Sequence, residues 1–282
     1  MLVSKAAWGF AERDVSPASD LVAVTHSGGL TAGAFEGESM LGFVHGIPRT
    51  NALEPCQHSH LLAVRPDAQG RGLSVRLKLF QRTWCLERGI RLVTWTYDPF
   101  LVKNAKLNIG KLRGTVRALL RDFYGPMGGI YGGLPTDRFE VRWRLDDPPV
   151  ERAARGASPA PAAFDDVPVL TASGTIPSAP RVLLPFLAGA PGVYRTDPAR
   201  SLAARARFRR LATALFSRGY EAVDVIVRNG EPAYVLERTA ELRESFRPSP
   251  ARPSASRPGN APRAGRSARR GARRERPGGG AT

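Results

Sequence analysis

Apolar and polar positions lay out most of the chain. Met-Leu-Gly-Phe-Val-His-Gly-Ile at 40–47 reads as a strand after a turn at 36–39, and His-Ser-His-Leu-Leu-Ala-Val at 58–64 reads as the next. Pro66 breaks that pattern. Leu73, Leu77, Phe80 and Trp84 then recur every three or four residues, which predicts a helix over about 70–88 that Gly89 stops. A strand follows at 91–97, closed by Asp98 and Pro99, then a short helix over about 103–112. The alternation at 138–145 predicts a half-exposed strand. Further on, Arg181 to Leu184 read as a strand before Pro185. Asp197 followed by Pro198 opens a helix with Phe208, Leu211 and Leu215 on one stripe and Gly219 at its end. Asn229-Gly230 between two apolar runs predicts a hairpin.

Composition divides this layout. Apolar residues make up 42% of 282, enough for a packed core. At roughly 100–200 residues per domain, one or two domains are expected. The low-complexity stretch 146–164 reads as a linker between a block at 1–145 and a smaller α+β block at 165–240, which is short enough to need docking on the first. Residues 241–282, rich in Arg, Pro and Gly, are expected to be disordered. No apolar run is long enough for a transmembrane helix, no secretory leader is visible, and Cys56 and Cys85 make neither a disulfide framework nor a zinc pattern. A cytoplasmic protein without membrane association is expected.

The formal charge of +17 is uneven. Ten Arg against one Glu lie in 246–282, so about half of the excess belongs to the tail. Arg outnumbers Lys 37 to five along the whole chain, and coding composition accounts for that bias as well as a binding task does.

The most informative segment is Val64-Arg-Pro-Asp-Ala-Gln-Gly-Arg-Gly-Leu-Ser74. A strand enters a short glycine-bearing loop and a helix starts at once. Open amides and the helix dipole there suit a phosphate or pyrophosphate; a tight turn with no ligand is the plainer reading. A Walker loop would need Gly-Lys-Ser/Thr, and a dinucleotide fingerprint a third Gly and a later acidic residue; neither is present.

With Val64-Arg-Pro66 before it, Gln69-Gly-Arg-Gly72-Leu-Ser74 resembles the signature Arg/Gln-x-x-Gly-x-Gly/Ala of the GNAT superfamily of acyl-CoA-dependent N-acetyltransferases, with Ser74 in place of the last small residue. Trp95-Thr-Tyr-Asp-Pro99, Asn104-Ala105, Asn108, Lys111-Leu112, Tyr124-Gly125 and Leu134-Pro-Thr-Asp-Arg138 are similar to a bacterial and archaeal branch of it, over about residues 8–145. The block at 165–240 resembles that branch's C-terminal extension; the tail does not. The resemblance implies an α/β (α+β) fold: a mixed, mostly antiparallel sheet splayed between its central strands, with flanking helices. It also implies acetyl-CoA as cosubstrate, with no metal. The amides of Gln69, Gly70, Arg71, Gly72, Leu73 and Ser74 would hold the pyrophosphate. Leu62, Ala63 and Val64 would pair with the pantetheine arm and polarise the thioester carbonyl, and Asn104 would reach the same arm.

The resemblance also places His58 where several members carry a general-base Glu. An ordinary imidazole pKa of about 6.5 suits that work near neutrality. His60 shares the strand face, so a partial metal site and a purely structural or substrate-contacting pair are open too. The usual acid is a Tyr on the short helix, but Ile109 stands there and Arg113 replaces a Gly; Tyr97 and Tyr124 are the candidate substitutes. Only seven residues precede Trp8, too few for the strand and helix with which such proteins begin. Either the coding start lies upstream, or the sheet lacks that strand and part of that helix.

The expected function is therefore acetyl transfer from acetyl-CoA to a small-molecule or protein amine by direct attack on the thioester. A catalytically weak acyl-CoA-binding regulatory module is one alternative. A nucleic-acid-associated protein is another, working through the tail and the arginines at 200, 205, 207, 209, 210 and 218. A homodimer is common among such folds.

Overall fold

The computed structural model describes residues 2–9, 15–50, 54–125, 134–157, 164–171 and 175–239. The expected disordered tail at 241–282 lies outside them. Two helices, α1 (Leu2–Trp8) and α2 (Ala18–His26), precede β1 (Leu30–Glu36), β2 (Ser39–Arg49) and β3 (Cys56–Val64). Helix α3 (Leu73–Leu86) leads to β4 (Leu92–Tyr97), α4 (Val102–Ala105) with a π-helical continuation (Lys106–Lys111), β5 (Thr115–Leu120) and β6 (Arg138–Arg144). Helix α5 (Pro148–Ala154) lies within the stretch expected as a linker. The remainder is β7 (Arg181–Pro185), α6 (Ala190–Thr196), α7 (Pro198–Ser217), β8 (Tyr220–Arg228) and β9 (Glu231–Arg238).

Among the described residues nine strands make one mixed sheet, in an α/β fold, in the order β1-β2-β3-β4-β6-β5-β8-β9-β7. Every pairing of named strands is antiparallel except β3 with β4. That parallel contact spans only Cys56–Leu92, Gln57–Val93 and His58–Thr94, after which the two strands part. The sheet is thus splayed at its centre, toward the C-terminal ends of both strands.

The strands at 165–240 join the same sheet, through Val116 opposite Ala222, and share its largest core. Tyr97 donates to the Tyr234 hydroxyl at 3.2 Å, and Tyr234 donates to the Pro99 carbonyl at 2.6 Å. Phe139 packs against Phe208, Phe216 and Tyr234. The Asp197 side chain caps α7 by accepting from the Arg200 N–H at 2.9 Å, and Asn229 and Gly230 both take positive φ in the β8–β9 turn.

Two expectations change. Strand β6 is central rather than half-exposed: Phe139, Val141 and Trp143 face the core, while Arg138 and Glu140 are buried on the opposite face. Helix α3 turns a different stripe inward. Phe80 is 53% exposed, and the buried positions are Leu73, Leu77, Lys78, Gln81 and Cys85. Its lower half therefore packs polar side chains. Gln81 Nε2 donates to Gln57 Oε1 at 2.5 Å, and Gly46 on β2 covers that pair. A Cβ at Gly46 would lie 2.3 Å from Gln57 Oε1 and 3.0 Å from Gln81 Nε2. Gly46→Ala is expected to cost about 1–3 kcal/mol as the buried amides are displaced, read as a lower urea midpoint at unchanged slope.

Candidate active site

The split between β3 and β4 organises the site. In β3 an extra residue lies between the pairs His45–Leu61 and Gly46–Ser59, a bulge that places His60 opposite no partner. Before it, Gln57 and Ser59 face α3; after it, Leu62 and Val64 do. His58, His60, Leu61 and Ala63 face the other side, where α1 packs. The Arg65 N–H donates to the Leu41 carbonyl on β2 at 2.8 Å. Strand alternation therefore turns the main-chain groups of Leu62 and Val64 toward the split, while those of Ala63 point to β2. The Val64 carbonyl already accepts from Gln69 Nε2 at 3.3 Å.

Beyond the open end of β3 comes the loop 65–72. Gly70 and Gly72 hold φ of +82° and +76°, which only glycine adopts without strain. Gly72 caps α3, and its carbonyl accepts from Val75 and Arg76. Among the described residues, the N–H groups of Gly70, Arg71, Gly72, Leu73 and Ser74 have no acceptor within the chain. Gln69, Gly70, Arg71 and Gly72 are exposed, and the Arg71 guanidinium donates to Glu36 at 2.7 Å. Converging open amides at a helix start fit a pyrophosphate chemically. Asn104 follows β4 on α4 and is half-buried.

On the face opposite α3, four strands converge. Arg49 at the end of β2 donates to Thr94 Oγ1 at 3.1 Å and to Glu140 Oε1 at 2.9 Å. Thr94 Oγ1 is 3.5 Å from His58 Nδ1, and the His58 and His60 rings are 6.2 Å apart. His45 bonds Thr31 Oγ1 at 2.9 Å, and its ring lies 6.3 Å from that of His60. Burial, then the neighbouring His60, Arg49 and Lys78, push the His58 pKa down to about 4. The value near 6.5 expected of His58 is therefore not the one this site produces. Burial and His60 lower that of His45 as well.

The two candidate acids separate. Tyr97 is fully buried on the α3 side of the sheet, hydrogen-bonded to Tyr234, and burial pushes its pKa up. It is a core residue, since Trp95 and Tyr97 point away from the face that carries Thr94 and Thr96. Tyr124 lies on the polar face, its hydroxyl 3.1 Å from Thr96 Oγ1 and its ring 5.2 Å from the Arg138 guanidinium. Ile109, in the place of the usual Tyr, is fully buried. Sequence reasoning missed Arg49, Thr94 and Glu140. The alternation at 138–145 carried a signal for Glu140, because it put Arg138, Glu140 and Arg142 on one face.

No family model matches the chain, and no curated protein does. Solved structures do. One is a putative acetyltransferase of the GNAT family from Desulfovibrio desulfuricans, 22% identical, with 51% of this chain and 89% of that one covered at a TM-score of 0.42. The chain is similar to GNAT-family acetyltransferases. An IAA acetyltransferase from Bacillus cereus is 16% identical, over 51% of this chain and 90% of that one, at a TM-score of 0.40. A putative acetyltransferase from Salmonella typhimurium, solved with its cofactor acetyl-CoA, is 18% identical over 50% and 80%, also at 0.40. Among the described residues no group of three His, Cys, Asp or Glu is placed to hold a metal ion, and no helix is long and apolar enough to cross a membrane.

Proposed function

We propose that this protein transfers an acyl group, acetyl in the first instance, from acyl-CoA to an amine. The observation that carries the reading is the split between β3 and β4, with the open amides of Gly70 to Ser74 just beyond its mouth. The amides from Gly70 to Ser74 bind the pyrophosphate; that of Gln69, expected to join them, is taken by the Pro66 carbonyl at 3.3 Å. The main-chain groups of Leu62 and Val64 pair with the pantetheine arm, and Asn104 meets it from α4. Acyl-CoA supplies an activated thioester; the chain supplies orientation and a donor for the developing oxyanion. The acceptor amine enters from the polar face. His58 is neutral there at pH 7 and too weakly basic to keep an ammonium proton, so it orients the amine and passes the proton to solvent. Of the two candidate acids, Tyr124 is the one on this face.

A nucleic-acid role through α7 is less well supported. Arg205 pairs with Asp98, Arg209 with Asp137, and Arg207 donates to the Leu170 carbonyl, so three of the six arginines face inward. Acetyl-CoA is expected to raise the melting temperature, and an amine panel to yield free thiol. Gly72→Val should abolish the acetyl-CoA shift. Gly89→Val, at φ of +71° beyond the end of α3, is a control of equal strain and should retain it. An unchanged melting temperature with acetyl-CoA refutes the reading.

A further inference from the structure

Lys78 has no role so far, and its surroundings are unusual. Its side chain is 1% exposed, and no carboxylate is among its partners. Nζ donates to Ser59 Oγ at 3.0 Å and to Gln81 Oε1 at 2.9 Å, and sits 3.6 Å from the centre of the Trp95 ring and 5.2 Å from that of Trp143. A lysine placed only to pack would carry its amine to water. This one ends where the sheet comes apart. His58 and Thr94 are the last pair joining β3 to β4, and Ser59 and Trp95 are the next residue of each strand. The amine therefore lies at the apex of the split on the α3 side, and His58 lies at the same apex on the opposite face.

We propose that Lys78 is the counter-charge to the departing thiolate, acting from the α3 side while the amine attacks from the side of His58. This rests on the acyl-CoA reading above. In the step, the carbon–sulfur bond breaks and its electron pair stays on sulfur. The thiolate forms beside the Lys78 ammonium, which keeps its proton and offsets the new negative charge. The attacking nitrogen gives its own proton to solvent past His58, and CoA leaves as the thiolate. Opposing influences act on the Lys78 ammonium. Burial lowers its pKa well below the usual value, while two acceptor oxygens and the faces of Trp95 and Trp143 favour the ammonium. The titratable groups facing it are Cys85 on its own helix and His58 on β3.

Free CoA bound to the full chain tests this without turnover, because a thiolate absorbs in the ultraviolet and a thiol does not. The thiol of bound CoA is expected to ionise at least one pH unit below that of free CoA in the wild type, and at the free value in Lys78→Met. Turnover in Lys78→Met should fall roughly 100-fold, with the acetyl-CoA KM changed little. Removing a buried charge in favour of an apolar chain of similar length is tolerated by folds, so the urea midpoint of Lys78→Met should not fall. The wild-type titration stands alone if the variant misfolds. Bound CoA that ionises like free CoA in the wild type overturns the role of Lys78 and leaves the acyl-CoA reading intact. An equal shift in both proteins overturns it as well. Failure of the wild type to bind CoA overturns both.

Discussion

Arg205→Ala is expected to destabilise the fold by about 3–5 kcal/mol, the largest single effect in the molecule, because it leaves a buried carboxylate without its partner. Arg205 Nη2 donates to Asp98 at 2.8 Å, and the two side chains are only 1% and 2% exposed. The guanidinium lies 4.4 Å from the centre of the Phe100 ring, and Asp98 also accepts from the Phe100 N–H at 2.9 Å. The pair ties the end of β4 to α7, more than a hundred residues later. Arg205→Met combined with Asp98→Leu should recover part of the loss, since no charge is then stranded, though the turn at Phe100 keeps an unmet donor. Urea unfolding of the two variants decides the matter. A double variant as unstable as Arg205→Ala would show that packing, and not the stranded charge, sets the cost.

The second large effect is on acid stability. Folded His58 titrates at about 4, against about 6.5 for an unfolded imidazole. Between those values the unfolded chain binds the extra proton, so stability falls as pH falls from 6.5 toward 4 and is complete above 6.5. His58 alone accounts for about 3 kcal/mol over that window, and His45, lowered in the same direction, adds to it. Urea midpoints measured from pH 7 to pH 4.5 should decline steeply in the wild type and clearly less in His58→Asn. Parallel declines would place the acid sensitivity elsewhere.

The elements with strong periodicity were legible from the sequence: β2, β3, β4, α3 and α7 lie close to where their patterns put them. Strand β1 was not, because Leu-Thr-Ala-Gly-Ala-Phe-Glu has weak alternation; nor was β5, whose Thr-Val-Arg-Ala-Leu-Leu reads equally as helix. The site was half visible. The glycine loop announces itself through residues that only a backbone demand explains. Arg49, Thr94 and Glu140 come from three strands and meet only in the folded sheet. The same limit explains α3, where Phe80 fits the apolar stripe but Lys78 is the residue inside. Periodicity rewards the more apolar residue, whereas Ser59, Gln57 and two tryptophans, all from other strands, decide which is accommodated. Tyr97 and Tyr124 looked alike as aromatics; strand parity turned Tyr97 into the core, while Tyr124 lies in the turn after β5, its hydroxyl against Thr96 on the other face.

The single, mostly antiparallel sheet also has a consequence in time. Strand β5 ends at Leu120, and its partner β8 begins at Tyr220, about a hundred residues further along. At roughly 5–20 residues per second, a ribosome needs about 5–20 s to supply that partner. Through that interval the nascent chain presents the outer edge of β5, beside the unfilled core around Phe139, to whatever else is in the cell. The front half cannot finish folding before its back half is made, and a chaperone that recognises exposed strand edges would meet it in that window.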